Sequence, residues 1–593
     1  MGNIRTKPEA TKHLSGSDWV APDCHGMNFY QIDPAFKWLA KHYMDADLHA
    51  HLEPHLDRLG EMSGNELDTM SRLADKHVPV VHSRDPFGRN IDHIEYHPSY
   101  KQMERIAMED FGLNRLSHFG GVLGWPKPMG ALAKYAIQYL FVQSEFGLMC
   151  PVSATDTAAF LVKKYATDEI RERYLPRLTA QKYEDIRMGA QFMSEQAGGS
   201  DVGNLECEAE FDGQNWRITG DKFFCSHADG EIVMMLARPK DAQWGSRGLS
   251  LFLLPRTLED GTRNSYQILK LKPKLGSSSM ASGECRFDGA LAYLLGEEGK
   301  GLKQMLDMVN LSRLSHGVRA AAMMRRCLNE AMQVARNRFT FGSKIVQHPL
   351  MRRQLMKMMV PTEQILSVFM FTAKIMEQAD AGDERAQTIL RILTPLLKYR
   401  GCRDNIKVAT SAMEARGGLG YIEEWVNPRL VRDAHLGVLW EGTSSIVSLD
   451  VVKRAIPKNQ AHAALGDALH EILDESNDIP GQYKGELGQM VDRAVRFAED
   501  VALKDENEPF SRQAAGALYH ALSAVLLASE GAAMAAETGD ASRLLLSRLV
   551  VEHRMRPHDP MSMEGGETDV KIAELLLADT PPSLEQVTAA LAS

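Results

Sequence analysis

The sequence predicts a mainly α-helical protein with a central β domain and a further helical extension at its C-terminal end. Three observations predict it. Apolar residues recur near the 3.6-residue period from about Ser99 to Tyr183 and again from Gly299 onward. Between those stretches, residues 188–295 fall into short β-type runs punctuated by Asp and Gly. After about Pro457 the chain becomes acidic and Ala-rich. The expected division is residues 1–187, an N-terminal extension and helical domain; 188–295, the β domain; 296–455, a helical bundle; and 456–593, the acidic helical extension.

In chain order, residues 1 to about 60 are polar, and His42, His49, His51 and His55 crowd around Asp45 and Asp47. Their spacing matches no standard ligand set, so a solvated helix face is the expectation and no metal site is assigned. Tyr135, Leu140 and Phe141 mark one helix, and Phe160, Leu161, Tyr165, Ile170 and Tyr174 are read as a second. Strands are expected at 216–219, 232–236 and 249–254, with turns at Asp212-Gly213, Gly220-Asp221 and Asp288-Gly289. Leu302, Met305, Val309, Leu314, Val318 and Ala322 then follow the helical period, and further helices are expected near 350–380, 386–415 and 429–435. Pro361 is expected to kink the first of these three.

With 593 residues and no repeat or low-complexity tract, the chain reads as folded throughout. Arg5, Lys7, Glu9 and Lys12, with no apolar segment among them, argue against a secretory signal and for a cytoplasmic protein. The seven cysteines are scattered without a C-x-x-C pair, which fits a reducing compartment. Leu355–Met376, taken as the most apolar helix, carries Pro361, Glu363, Gln364 and Lys374, and so reads as buried core, with no membrane span expected. Residues 456–593 hold 11 Lys and Arg against 23 Asp and Glu, a net of −12, which leaves +2 on the rest. Such a segment repels phosphate backbones, so DNA binding is not expected of it, despite the cluster Arg543, Arg548, Arg554 and Arg556. It is expected instead to cover a subunit surface or the mouth of a pocket.

The chemistry centres on Val438-Leu439-Trp440-Glu441-Gly442-Thr443-Ser444-Ser445-Ile446. Trp440 can desolvate the Glu441 carboxylate, which raises its pKa and sharpens it as a base, while Gly442 lets backbone approach a ligand. Met193-Ser194-Glu195 and the following Gly198-Gly199-Ser200-Asp201 expose successive N–H groups and hydroxyls suited to a pyrophosphate. Phe223-Phe224-Cys225-Ser226 sets aromatics beside a hydroxyl, as a flat heterocycle needs, though core packing explains such aromatics equally. Arg338, at a helix end before Phe341-Gly342, could grip a phosphate or simply pair with a carboxylate. No G-x-G-x-x-G or G-x-x-x-x-G-K-[ST] motif supports a nicotinamide or nucleoside-triphosphate site.

Taken in order and spacing, from about residue 100 to 455, these segments resemble the acyl-CoA dehydrogenase flavoprotein family. The matching elements are Met193-Ser194-Glu195 with Gly199-Ser200-Asp201, Gly220-Asp221-Lys222 with Phe224 and Ser226, Arg338 with Phe341-Gly342, Glu414 to Gly420, Arg432-Asp433-Ala434, and Trp440-Glu441-Gly442-Thr443. Within it, Glu95-Tyr96-His97-Pro98, Met149-Cys150-Pro151-Val152, Lys274-Leu275-Gly276 and the extensions at both ends resemble the AidB-type subgroup. Gln196, Ser278 and Glu414 depart from the residues common in the wider family. The resemblance implies a helical N-domain, a β-barrel-like middle domain and a helical-bundle C-domain, with FAD as cofactor. Met193, Ser194, Gly199, Ser200, Phe224, Cys225, Ser226, Thr443 and Ser445 would contact it, and Arg338, Phe341 and Gly418 would reach it across a subunit boundary in a homotetramer or homodimer. It also implies Glu441 as the base removing the α-proton of an acyl-CoA as hydride leaves the β-carbon for the flavin, with electron transfer flavoprotein as acceptor. Ser312 stands where a subset of the family carries its base instead, and a serine cannot take that role. Competing expectations are a DNA-associated, stress-response flavoprotein of the AidB type, against which the acidic extension counts, and an acyl-CoA oxidase.

Overall fold

The computed structural model describes residues 11–563 and 565–592; Arg5, Lys7 and Glu9, on which the reading of the N-terminus rests, lie outside them. The first part of the chain is helical, with α1 (Pro34–Tyr43), α2 (Ala46–Gly64), α3 (Glu66–Lys76), α4 (Pro98–Arg105), α5 (Ala131–Val142), α6 (Met149–Tyr165) and α7 (Asp168–Leu178). Between α3 and α4 lies an antiparallel hairpin, β1 (Val80–Arg84) and β2 (Asn90–Glu95), which the sequence reading leaves unassigned. Asp85 closes it by accepting the N–H groups of Phe87 and Arg89, each at 2.9 Å. The run from Phe160 to Tyr174 is two helices rather than one. Ala166 is extended and Thr167 caps α7, its hydroxyl accepting from the Ile170 N–H at 3.5 Å. His42 stacks on Trp38 and His51 bonds the Leu123 carbonyl, and among the described residues no three His, Cys, Asp or Glu side chains are placed to share a metal ion.

The middle of the chain is a seven-stranded sheet of β3 (Gly189–Phe192), β4 (Glu208–Phe211), β5 (Trp216–Ser226), β6 (Ile232–Pro239), β7 (Ser250–Pro255), β8 (Tyr266–Leu271) and β9 (Ser282–Leu295). Its order is β3-β5-β4-β6-β7-β9-β8, and extra pairings of β3 with β6 and β5 with β9 curl it into a barrel-like closure. Strands β6 and β7 are buried on both faces, which is why they read as continuous apolar runs. Asp212-Gly213 makes the turn between β4 and β5, as expected. Gly220-Asp221 and Asp288-Gly289 do not make turns, because both lie inside strands. Opposite Ile218 and Thr219 the register slips by one residue and Gly289, at φ 67°, takes up the extra position as a bulge.

A helical bundle follows: α8 (Gly301–Asn337), a two-residue-stranded hairpin β10 (Phe339–Thr340) and β11 (Ser343–Lys344), then α9 (Pro349–Asp380), α10 (Glu384–Arg416), α11 (Asn427–Ala434) and α12 (Ser444–Asp450). Helix α9 continues through Pro361 as one element. The C-terminal extension comprises α13 (Ile456–Asn459), α14 (Ala461–Glu475), α15 (Gly481–Leu503), α16 (Ser511–Thr538), α17 (Ser542–Val550), α18 (Gly566–Leu576) and α19 (Leu584–Ala592). Its Ala-rich helix α16 packs against α9, α10 and α12, the small side chains allowing close approach. With the turn before it, Asp505–Thr538 is the one stretch among the described residues long and apolar enough to cross a membrane, and 83% of its apolar window is buried inside the protein. Leu355–Met376, read from the sequence as a buried core helix, is an interior part of α9, with most of its side chains buried.

The extension is tied to the body by ionic contacts. Arg543 Nη1 donates to Glu363 Oε2 on α9 at 2.7 Å, and Nη2 to Glu530 Oε2 on α16 at 2.8 Å. Glu363 also meets Arg325 of α8, which pairs with Asp33 at 3.0 Å, while Tyr43 donates to Glu530 at 2.7 Å. Arg548 and Arg556 each pair with both Glu486 and Glu552.

Candidate active site

The turn between α11 and α12 places Glu441. Glu441 has φ 56° and Gly442 φ 96°, two consecutive left-handed residues, a conformation glycine accepts freely and glutamate only at a cost of about 1–2 kcal/mol. The surrounding helices clamp it: Ser312 Oγ of α8 donates to Glu441 Oε1 at 2.9 Å, Arg313 Nε donates to the Glu441 carbonyl at 3.1 Å, and Lys398 Nζ of α10 donates to the Gly442 carbonyl. Arg313 is fixed in turn by Asp450 of α12 at 2.7 Å. Among the described residues nothing accepts the Glu441 N–H.

Burial pushes the Glu441 carboxyl above the ordinary carboxylate value of 4.5, while the Ser312 hydrogen bond and the charges of Arg313, Lys398 and Arg319 pull it part of the way back. Burial also brings Lys398 down to about 8. His316, edge-on to the Trp440 ring at 5.8 Å, is held well below its ordinary value by burial and bonds the Ser312 carbonyl at 2.9 Å, so it is a neutral imidazole with Nδ1–H donating. A raised Glu441 is a base only when ionised. Proton abstraction at this site is therefore expected to slow as pH falls through a value above 4.5, and the pH profile of the reductive half-reaction checks this.

A second group of expected residues gathers on one face of the sheet. Between Lys222 and Cys225 strand β5 carries an extra residue against β9, a bulge that turns Phe224 outward, 53% exposed, near the half-buried Ser226. Phe223 N–H donates to the Ser194 carbonyl at 2.8 Å, which joins the Met193-Ser194 loop to this strand. Beneath, Lys222 Nζ donates to Glu195 Oε1 at 2.5 Å, the Leu236 carbonyl at 2.8 Å and the Met193 carbonyl at 3.2 Å. This buried ion pair holds the loop while Gly199 and Ser200 stay exposed at its tip. The Cys225 side chain is wholly buried, with Sγ turned toward the Lys222 carbonyl at 3.7 Å, so its contact with a flat ligand would be through backbone. Thr443 and Ser445 are exposed beyond Glu441.

The chain does not bring Arg338 to Glu441. Arg338 sits at the far end of α8, about 39 Å beyond Ser312 at ~1.5 Å per residue. Phe341, at the tip of the β10–β11 hairpin, is 100% exposed, and Gly418 lies exposed just after α10. Arg338 is half-buried and pairs with no carboxylate among the described residues, against the surface pair that a lone Arg suggests.

Several contributors escaped the sequence reading. Ser312, which a serine's chemistry rules out as a base, donates a hydrogen bond to the Glu441 carboxylate. Lys398, in Leu396-Leu397-Lys398, and Arg319, in Val318-Arg319-Ala320-Ala321, are cations inside apolar helical runs, and that mismatch was the available signal.

Three family profiles match this chain: acyl-CoA dehydrogenase, C-terminal domain, over residues 299–456; acyl-CoA dehydrogenase, middle domain, over 190–290; and the adaptive response protein AidB N-terminal domain over 20–185. The protein thus belongs to the acyl-CoA dehydrogenase family, flavin-dependent oxidoreductases whose cofactor is FAD. Within that family it is similar to AidB of Escherichia coli (strain K12), at 32% identity over 76% of this chain and 81% of that one. It is also similar to acyl-CoA dehydrogenase family member 11 of Caenorhabditis elegans, at 27% identity over 82% of this chain and 80% of that one. The crystal structure of Caenorhabditis elegans ACDH-11 in complex with C11-CoA shares the fold, with a TM-score of 0.82 at 24% identity, covering 98% of this chain and 97% of that one.

The residues present fit FAD. An outward aromatic on a bulge, exposed loop N–H groups at Gly199 and Ser200, and a guanidinium without a carboxylate partner at Arg338 are surfaces that a flavin and its phosphates would cover. Arg338→Ala is expected to loosen FAD by about 1.5–3 kcal/mol through loss of a charge-assisted phosphate contact. Flavin fluorescence on serial dilution measures it.

Proposed function

We propose that this protein is an FAD-dependent acyl-CoA dehydrogenase that removes hydrogen from the α and β carbons of an acyl thioester, with Glu441 as the base. The observation that carries the proposal is the Glu441 turn, in which a carboxylate raised by burial is fixed through Oε1 by Ser312, leaving Oε2 to take the α-proton. The open Glu441 N–H supplies a donor for the thioester carbonyl oxygen, where negative charge builds as the proton leaves. Arg313 and Lys398 hold the two carbonyls of the turn, so that this donor and Oε2 keep their relative orientation. Trp440 and the neutral His316 pack edge to face beside the turn. FAD, when bound, supplies the hydride acceptor.

Met193, Ser194, Gly199, Ser200, Phe224, Ser226, Thr443 and Ser445 would hold the cofactor from one chain, and Arg338, Phe341 and Gly418 from a second copy. The length of α8 supports that division, because one chain holds the two sets too far apart to serve one nucleotide. The protein is therefore read as a homodimer or homotetramer, with another flavoprotein as electron acceptor. Against the DNA-associated reading, three of the four clustered arginines, Arg543, Arg548 and Arg556, are each engaged by two carboxylates. Turnover of an acyl-CoA with an artificial acceptor should yield the 2-enoyl thioester, two mass units lighter, without oxygen uptake. A thioester recovered unchanged would contradict the dehydrogenase, and stoichiometric oxygen consumption would favour an oxidase.

A further inference from the structure

The connection between β8 and β9, residues 272–281, is gathered around one side chain. Lys274 Nζ is ringed by four oxygens: the Ser277 carbonyl at 2.9 Å, Ser277 Oγ at 3.1 Å, the Met280 carbonyl at 2.7 Å and Ser282 Oγ at 3.2 Å. The loop is tight elsewhere too. Ser277 sits at φ 49° and gives its N–H to Asp433 Oδ1 at 2.6 Å, and a Cβ on Gly276 would lie 2.6 Å from the Arg432 carbonyl oxygen. A neutral donor could serve the same four oxygens, so the hydrogen bonds do not by themselves account for a charge here.

That charge is uncompensated. Lys272, over the rings of Phe223 and Phe224, is paired with Glu284 at 2.7 Å. Lys274 has no carboxylate within ion-pair distance among the described residues. Asp433 and Glu145 act on it from farther away, and burial raises both, Asp433 to about 7, so they offset it only in part. Burial brings Lys274 itself down to about 8, which leaves it an ammonium at neutral pH. A cation kept away from water without a counter-charge costs stability, and a negative charge that appears in another state of the protein would explain it.

Strand register says where that charge would be. Ser226 and Ser282 are paired across β5 and β9, so their side chains share one face of the sheet, while Cys225 turns to the other. Directly opposite residues hold their Cβ atoms about 4.5–5.5 Å apart, which brings an ammonium bonded to Ser282 within roughly 9 Å of the Ser226 hydroxyl. The Cys150 thiol of α6 is acted on by both Ser226 and Lys274.

Resting on the reading in which FAD lies against Phe224 and Ser226, we infer that Lys274 is a positioning residue for redox chemistry: its ammonium raises the reduction potential of the bound flavin. In the proposed reaction the α-proton goes to Glu441 and the β-hydrogen leaves with its electron pair, so the acceptor gains one hydride and with it one negative charge. A fixed cation nearby favours that product without rearranging as the charge arrives. A unit charge acting over about 8 Å at an effective dielectric constant of about 20 favours the reduced form roughly 10- to 100-fold.

The test is the midpoint potential of the flavin-loaded protein, read by anaerobic reduction with dithionite beside a reference dye, in the wild type, Lys274→Gln and Lys274→Arg. Lys274→Gln keeps a donor for the loop and loses the charge, so its reduction equilibrium should fall about 10- to 100-fold, or ~30–60 mV for two electrons. Lys274→Arg keeps the charge and should stay within about threefold of the wild type. A role confined to bracing the loop would weaken flavin retention and leave the potential of the loaded protein where it was. A wild-type potential in Lys274→Gln, or an equal fall in both variants, therefore overturns the assignment. If neither variant takes up flavin, the wild type decides alone: a potential above that of free FAD supports the inference, and one at or below it overturns it. No acyl-CoA enters the measurement, so failure here is distinct from failure of the dehydrogenase reading, whereas a wild type that binds no FAD removes both.

Discussion

Glu441→Gln is expected to leave FAD bound and to slow flavin reduction by an acyl-CoA by about 100- to 10,000-fold. The amide preserves the shape of the side chain and can still accept from Ser312, so the left-handed turn and its clamps at Arg313 and Lys398 should survive. What it cannot do is receive the α-proton. Because the interaction lost is made only as the proton transfers, substrate binding should change far less than the rate. Rapid-mixing absorbance of the flavin band, read with the substrate concentration for half-reduction, separates the two. A variant that reduces its flavin at the wild-type rate removes Glu441 from the mechanism.

Arg543→Met should cost about 3–5 kcal/mol of stability, the penalty for stripping one partner from a buried ionic cluster. Arg543 stands between Glu363 of α9 and Glu530 of α16, and also donates to Ser367 Oγ at 2.5 Å. Without it two buried carboxylates lose their shared cation at the seam between bundle and extension, with Arg325 left to serve Glu363, and Tyr43 and Ser367 to serve Glu530. Arg543→Lys keeps the charge and loses the two-pronged geometry, so it should fall in between. Urea denaturation followed by far-ultraviolet circular dichroism measures both, and a methionine variant within about 1 kcal/mol of wild type contradicts the idea that this cluster holds the extension in place.

The elements legible in the sequence were those with an uninterrupted period. Strands β6 and β7 read as solid apolar runs because both faces are covered, and α8 kept its helical period over many turns. Errors arose where a local signal had two meanings. Gly with Asp marks a turn, a bulge or a strand interior, and pairing between β5 and β9 made Gly220 a regularly paired strand residue and Gly289 a bulge. Thr167-Asp168 was a helix start hidden inside an apolar pattern that ran on across it. In the site, Glu441 was legible from its own neighbours, whereas the residues that tune it come from 129 residues away at Ser312 and from α10 at Lys398. No local pattern encodes such pairings. What the sequence did carry was the oddity of a cation within an apolar helical run, seen at Arg319 and Lys398.

The most direct test of the central claim is an anaerobic titration of the purified, flavin-loaded protein with a panel of acyl-CoA thioesters, followed by absorbance of the flavin band. Stoichiometric bleaching by at least one thioester, abolished on the same timescale in Glu441→Gln, is the predicted result. A flavin that stays fully oxidised with every thioester tried, while dithionite still reduces it, would contradict the account.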